Sequence, residues 1–405
     1  MEFLKSINST EALGMIGSFA VSPKTEAVLI EEACGRVLAE DIVSREDIPQ
    51  FPRSLVDGYA VMAKETYGAK ETSPALLAVT GEIKIGEETD LSLAEGSSIY
   101  VSTGSMVPGG ADGVVMQEFV RKMDDAVEVT KGVFRGENIC FKGEDIHNGA
   151  VVLTSGTRLG PFHTGILAAL GISRVPVFVK PSVSIISSGD EIVDINVMPP
   201  PGKIRDINRY TLTGLLGRRG AAVTFQGIAA DNMKDIASML RLSKDSDLIL
   251  VSAGSSKGAR DFVVAAVEAI GGSILFHGVN IKPGKPTIFG EFEGKSLFGL
   301  PGHPASCVLA TVRFVLPLLA RLAGERDYRP LTANARLSTN IPSSYGIEEF
   351  VRVRLENTEG RLEAAPVFSK SAVISSLAMA SGYVIVPDGR EGLETGEEVK
   401  VYLFD

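Results

Sequence analysis

The stretch Leu248-Ile249-Leu250-Val251-Ser252-Ala253-Gly254-Ser255-Ser256-Lys257-Gly258 passes from four apolar residues into a turn of small ones, then through Arg260 and Asp261 into a helical pattern. A strand that ends this way and feeds a helix favours an anion, because backbone N–H groups free of bulky side chains converge and the helix adds its positive end. Two further junctions are similar. Ile281-Lys282-Pro283-Gly284-Lys285-Pro286 puts two ammonium groups on a stiff turn. Leu300-Pro301-Gly302-His303-Pro304 opens an apolar helix over 305–316, with Pro304 at the first helical position, where its missing N–H costs nothing. Strand-like and helix-like runs alternate through 183–324, which predicts a parallel sheet with helices on both faces and right-handed crossovers. Ligands of such sheets sit at the carboxyl ends of the strands, where these turns meet.

Working outward, a strand at 183–186 ends in Ser187-Ser188-Gly189-Asp190-Glu191, and 208–219 reads as a helix closed by Gly220. Strands at 222–225 and 248–252 flank a helix at 233–242. After Arg326 the texture turns to short strands at 332–338, 349–355, 361–366, 382–386 and 398–403, a small β domain of ordinary size. On the N-terminal side, 26–41 carries apolar residues near a 3.6 period and reads as a helix. From Ile48 to about Phe141, short runs broken by Pro and Gly predict strands at 91–103, 113–120 and 126–133. Asp57-Gly58, Ser102-Thr103-Gly104 and Pro108–Asp112 read as turns there. The segment 138–180 holds Gly143-Glu144-Asp145 and an apolar helix at 162–170 capped by Gly171.

At 405 residues the chain holds two to four domains. A net charge of −10 argues against general nucleic-acid binding, which needs a field of Lys and Arg. Lys282/Lys285 and Arg218/Arg219 are local exceptions that suit a small anionic ligand. Cys34, Cys140 and Cys307 have no paired spacing, so neither a disulfide framework nor a zinc site is expected, and buried thiols in a reducing compartment are. The opening MEFLKSINST lacks an apolar signal core, and no uninterrupted apolar run approaches the roughly 18 residues of a membrane span. The expectation is a cytoplasmic protein without membrane or nucleic-acid partners.

Carboxylates recur after strands, at Glu191, Asp231 and Asp261. Mg²⁺ takes hard oxygen ligands from one or two carboxylates plus phosphate and water, so carboxylates beside anion-binding turns have a use. Each alone is more simply a helix cap. Three at one sheet edge favour a site. The absence of a Walker A run, or of Gly-x-Gly-x-x-Gly after a strand, weighs against the common nucleotide folds.

The strings Phe51–Val61, Val101-Ser102-Thr103-Gly104 with Pro108–Asp112, Gly143-Glu144-Asp145, Ser188-Gly189-Asp190-Glu191, Ile281–Pro286 and Leu300–Pro304 occur in an order and spacing that resemble the molybdopterin molybdenumtransferases, the MoeA and gephyrin E-domain family, nearly end to end. The resemblance implies a multidomain α/β plus β fold in four parts. These are a split elongated domain from 1–45 and 142–178, a β-rich domain at 46–141, a three-layer α/β domain at 179–326 like the molybdopterin-adenylating proteins, and a C-terminal β domain at 327–405. It also implies a homodimer with a shared active site. The reaction it implies converts adenylylated molybdopterin and molybdate to molybdenum cofactor and AMP, with Mg²⁺ assisting.

By matching position, Asp57, Asp145, Asp261, Lys282 and Lys285 are the catalytic candidates, and Glu191, Asp231 and Asp261 the metal ligands. Ser252, Gly254, Ser255, Ser256 and Gly258 would cradle phosphate, Thr103, Pro301 and Gly302 would bind substrate, and Arg352 and Ser371 would hold molybdate. The chain departs from its relatives at Lys257 and Arg260, where Gly-Gly and an acidic residue are common, and at His303, which replaces the Asn of a Pro-Gly-Asn-Pro motif. The alternatives are an insertase adapted to tungstate and a non-catalytic pterin-binding scaffold. The retained carboxylates and lysines favour the enzyme.

Overall fold

The computed structural model describes residues 6–253 and 257–404, with the backbone alone for 257–260. The chain divides into two compact units, one of Met1–Ala39, Gly156–Gly160 and Arg174–Asp405, the other of Glu40–Ser155 and Pro161–Ser173.

In the first unit the chain runs through β1 (Ser182–Ser188), α1 (Asn208–Arg218), β2 (Ala222–Ala229), α2 (Met233–Leu242), β3 (Leu248–Ala253), α3 (Lys257–Ala269), β4 (Ser273–His277), β5 (Ile288–Phe292) and β6 (Lys295–Pro301). The strands form one sheet in the order β2-β1-β3-β6-β5-β4. β2, β1, β3 and β6 are parallel, as the alternation of strand and helix predicts. β5 and β4 run antiparallel to their neighbours, which that pattern did not foretell. The cause is local: Glu293 (φ 50°) and Gly294 (φ 72°) make a two-residue turn between β5 and β6, and so tight a connection can only return the chain antiparallel.

Both faces of the sheet are covered, so its central strands read as continuous apolar runs; all six residues of β3 are buried. The strand period of two sorts them. Val183, Ile185, Leu248 and Leu250 pack on α1 through Leu212 and Leu216. Ile186, Ile249 and Val251 face α2 and α3 through Ile236, Leu240, Val263 and Val267.

After β6 a single helix covers Pro304–Leu322. Its middle turn, Thr311–Val315, is π-helical and sits just before Pro317, whose ring removes the donor that would close a regular turn. By length and composition this helix passes for a membrane span, although Arg313 and Arg321 interrupt it, and most of it is buried inside the protein. Its apolarity is that of a core helix.

The C-terminal strands Glu348–Thr358, Arg361–Pro366, Thr332–Leu337, Glu398–Leu403 and Gly382–Val386 pair in that order, and the last pairs back with the first. The result is a closed barrel without free edges, filled by Val353, Ala364, Val384 and Val401. All five strands lie where the sequence places them.

The second unit holds a six-stranded sheet in the order Gly113–Met116, Gly58–Val61, Ser97–Val101, Ala75–Ile83, Ala126–Val129, Val120–Lys122. Gly58 is more than a turn residue here: a Cβ on it would lie 2.0 Å from the carbonyl oxygen of Val115 on the neighbouring strand.

Two expectations are corrected. Residues 26–41 are not a helix: Thr25–Leu29 is a strand paired antiparallel with Arg174–Phe178, followed by a 3₁₀ turn at Ile30–Glu32. A distant strand satisfies the backbone of 25–29, where only Val28 is buried, and the periodic residues Ala33 and Val37 are buried from turn and extended chain, so the local 3.6 period does not report a helix face. The thiols also differ: Cys307 is buried, but Cys140 is half-buried and Cys34 exposed.

Gly58→Ala should lower the stability of the chain by about 2 kcal/mol or more, because the strands must part to admit the methyl group. Urea unfolding followed by circular dichroism checks it, with an unchanged midpoint as the contrary outcome.

Candidate active site

The crossovers leave one place open. From β1 the chain crosses through α1 to β2 on one side, and from β3 it crosses through α3 to β4 on the other. The adjacent carboxyl ends of β1 and β3 therefore lie at a topological switch point. A cavity of about 510 Å³ opens there, lined by Ser187 and Ser188 from β1, Ser252 and Ala253 from β3, Asn208 from α1, and Gly302 and His303 beyond β6.

Register sets this lining. Ser252 stands opposite Leu300 and Ala253 opposite Pro301, so the turn after β6 starts level with the end of β3. Asn208 locks the two: its Nδ2 donates to Ser252 Oγ and to the Gly302 carbonyl, each at 2.8 Å. Asp206 does the same between β1 and α1, accepting from Ser187 Oγ at 2.5 Å and from the Arg209 N–H at 3.1 Å. The second of those bonds satisfies a free N–H of the first helical turn. On the neighbouring edge Ser188 Oγ donates to Asp231 at 2.9 Å, and the Asp231 N–H donates to Asp190 at 3.1 Å. Glu191 also lines the cavity, and among the described residues no donor reaches its carboxylate. Beneath the floor, burial pushes the Cys307 thiol up to about 12; the charge of Asp206 adds to the rise, while hydrogen bonds with Ser252 and Thr311 oppose it.

The other candidates fall in several places. Ser371 meets the turn after β6: its Oγ is 3.0 Å from His303 Nδ1, and its carbonyl accepts the Ala305 N–H at 3.0 Å. Arg352 is 6% exposed and spends its guanidinium on Ser376 Oγ and the Ser369 carbonyl, and burial lowers its affinity for the proton. In this arrangement it shapes segment 369–376. Lys282 is exposed, with Nζ 2.9 Å from Glu349 of the barrel. Lys285 is exposed and forms no ion pair among the described residues.

Asp261 is exposed just past the first turn of α3, the turn to which Gly258 belongs, and Gly254, Ser255 and Ser256 lie outside the described residues. In the second unit Asp57 accepts from the Thr103 N–H at 2.7 Å and from Thr103 Oγ1 at 3.1 Å, which joins two of the candidates. Asp145 is exposed, its N–H bound to the Ile48 carbonyl at 3.0 Å. Among the described residues no three His, Cys, Asp or Glu side chains converge as metal ligands.

The structure thus gathers Glu191, Ser252, Pro301, Gly302 and Ser371 around one cavity or its rim. Reasoning from sequence passed over Asp206, Asn208, Ser187 and Ser188 as site residues. The available signal was Asp206-Ile207-Asn208 at a helix start, a capping pattern that here does double duty.

Fold and cavity define a multidomain α/β protein with a cavity of small-molecule size at the switch point of its central sheet. Three family models match the chain in succession: the MoeA N-terminal region (domain I and II) over 7–171, a "Probable molybdopterin binding domain" over 184–321, and the MoeA C-terminal region (domain IV) over 334–404. A molybdopterin molybdenumtransferase of Bacillus subtilis (strain 168) is 34% identical over 400 residues, 97% of this chain and 93% of that protein. A protein of Methanocaldococcus jannaschii named "Putative molybdopterin biosynthesis protein" is 36% identical over 391 residues, 94% of this chain and 92% of that one. The crystal structure of a molybdopterin biosynthesis MoeA protein from Pyrococcus horikoshii OT3 matches with a TM-score of 0.82 at 35% identity, covering 99% of this chain and all of that one. The chain belongs to the molybdopterin molybdenumtransferase (MoeA) family and is a transferase of molybdenum cofactor biosynthesis.

Asn208→Leu strands the Ser252 hydroxyl and the Gly302 carbonyl and should destabilise the chain by about 2 kcal/mol; chemical denaturation reads the loss, and an unchanged midpoint would deny the clamp. Thiol mapping by mass spectrometry offers a second check. At pH 8 iodoacetamide should label Cys34 and leave Cys307 untouched in the folded chain, since a thiol with a raised pKa holds its proton there and the thiolate is the nucleophile.

Proposed function

We propose that this chain transfers molybdenum from molybdate to adenylylated molybdopterin and releases AMP. The observation that carries the reading is the switch-point cavity, which lies within the 184–321 segment that matches the molybdopterin binding domain. Its volume of about 510 Å³ lies in the range of small-molecule sites, roughly 300–1,000 Å³, and its hydroxyls suit a polar ring system carrying phosphate.

In this reading Ser187, Ser188 and Ser252 hold the ligand, and Asn208 keeps the two strand ends at a fixed spacing while it is bound. Lys282 and Lys285 neutralise phosphate and molybdate charge as the phosphoanhydride is cleaved, the usual source of rate in phosphoryl chemistry. Lys282 gives up its contact with Glu349 to do so. Asp57, Asp145 and Asp261 keep the catalytic roles that their motif positions suggest, Thr103 supports Asp57, and Arg352 orders the segment that presents Ser371 to molybdate.

Mg²⁺ fits the donor set: it needs one or two protein carboxylates, and Glu191 offers one that no donor among the described residues occupies, with Asp231 on the adjoining edge. Bound there, the ion would screen phosphate charge as the anhydride breaks. The working form in this proposal is a homodimer, for which sedimentation at twice the chain mass is the expected result.

The test is to follow AMP after mixing the purified chain with adenylylated molybdopterin, Mg²⁺ and molybdate. Lys282→Ala and Glu191→Gln should each lower turnover by about a hundredfold with folding intact. Full turnover in both variants would remove the site, and AMP release without molybdenum transfer would remove the reaction.

A further inference from the structure

The pair Arg218-Arg219, a basic exception in a chain of net charge −10, takes no part in the site above. α1 begins at Asn208 and ends at Arg218, about 15 Å further along its axis, so the arginines stand at the end away from the active-site cavity. A second cavity of about 330 Å³ opens there, among the end of α1, the linker after the long helix and the barrel. Among the described residues its lining includes three arginines, Arg218, Arg219 and Arg329, and no carboxylate. Aromatic rings of Tyr328, Tyr402 and Phe404 line it as well.

The groups are pre-set. Arg219 donates to both oxygens of Glu325 at 3.1 and 2.9 Å, and Arg158 holds the same carboxylate at 2.7 Å, so two guanidinium groups share one acid and the cluster stays cationic. The Arg219 guanidinium lies 4.9 Å from the Tyr328 ring centroid. Tyr402 is stacked on Tyr383 with centroids 5.3 Å apart and an interplanar angle of 15°, and Tyr383 is 5.7 Å from Phe404, which makes a stiff wall. Arg329 is exposed and makes no ion pair among the described residues.

We propose that this cavity binds a small aromatic anion, one planar ring carrying one phosphate. The volume is at the low end for ligand sites and admits a single ring with its substituent but not a pterin nucleotide. The ring gains contact with aromatic side chains, and the forked guanidinium groups match phosphate oxygens. Because the lining comes from the α/β layer, the linker and the barrel, an occupant ties the three together.

Isothermal titration of the full chain with phenyl phosphate tests this. The ligand should saturate, and inorganic phosphate should bind roughly tenfold more weakly or worse for want of the ring. The double variant R218Q/R329Q, which alters exposed side chains only, should lose roughly tenfold in affinity, and Leu215→Trp, which fills the cavity, should abolish binding with the fold retained. Glu191→Gln, in the other cavity, should bind as the parent does. The proposal is overturned if phenyl phosphate does not saturate, if phosphate alone binds as well, if the arginine and Trp variants bind unchanged, or if Glu191→Gln is the variant that loses binding.

Discussion

One side-chain amide holds the site in register. Asn208 reaches 44 residues along the chain to Ser252 and 94 to Gly302, and it joins the ends of two parallel strands to the start of the helix that leaves a third. Buried polar groups at strand ends must find partners, and here the partners are one another. Asp206 repeats the arrangement on the side of β1, through Ser187 and the first turn of α1. The opposite crossovers of β1 and β3 leave a gap, and these two side chains determine its width.

The barrel is fastened to the same edge by several small contacts. Ile281–Lys282 pairs with the barrel strand at Glu348 and Glu349, so the lysine turn is anchored at its first residues. Buried Arg352 gathers segment 369–376, and Ser371 in that segment bonds to the turn that opens the long helix. That helix carries Arg313 to Ser9 and Glu348, and Arg321 to the carbonyls of Ile16 and Phe19. Charged side chains on an otherwise apolar helix thus serve as its lateral attachments, which explains why a helix with the composition of a membrane span is mostly buried.

Much of the fold was legible because its signals are local and agree with each other. The buried runs of β1 and β3, the glycines that close helices at Gly171 and Gly220 with positive φ, and the five barrel strands all follow from patterns a few residues long. The helix read at 26–41 failed because its partner strand lies near residue 175, and nothing in a short window reports that pairing. The site divides the same way. Ser252, Pro301 and Gly302 were visible as turn motifs, whereas Asp206 and Asn208 look like ordinary caps until the register of β3 on β6 brings the two acceptors of Asn208 together and the fold sets Asp206 beside its donor Ser187 on β1. Arg352 shows the converse: its position drew attention as a ligand for an oxyanion, and its geometry spends the guanidinium on the protein's own carbonyl and hydroxyl groups.

The central claim is that the pterin ligand enters between the ends of β1 and β3, under the Asn208 clamp. Hydrogen–deuterium exchange of the intact chain with and without molybdopterin tests it most directly, because the amides concerned sit in three separate segments. Binding should slow exchange together at 187–191, 204–209 and 302–305. Slowed exchange elsewhere in the chain, with these three segments unaltered, would contradict the account.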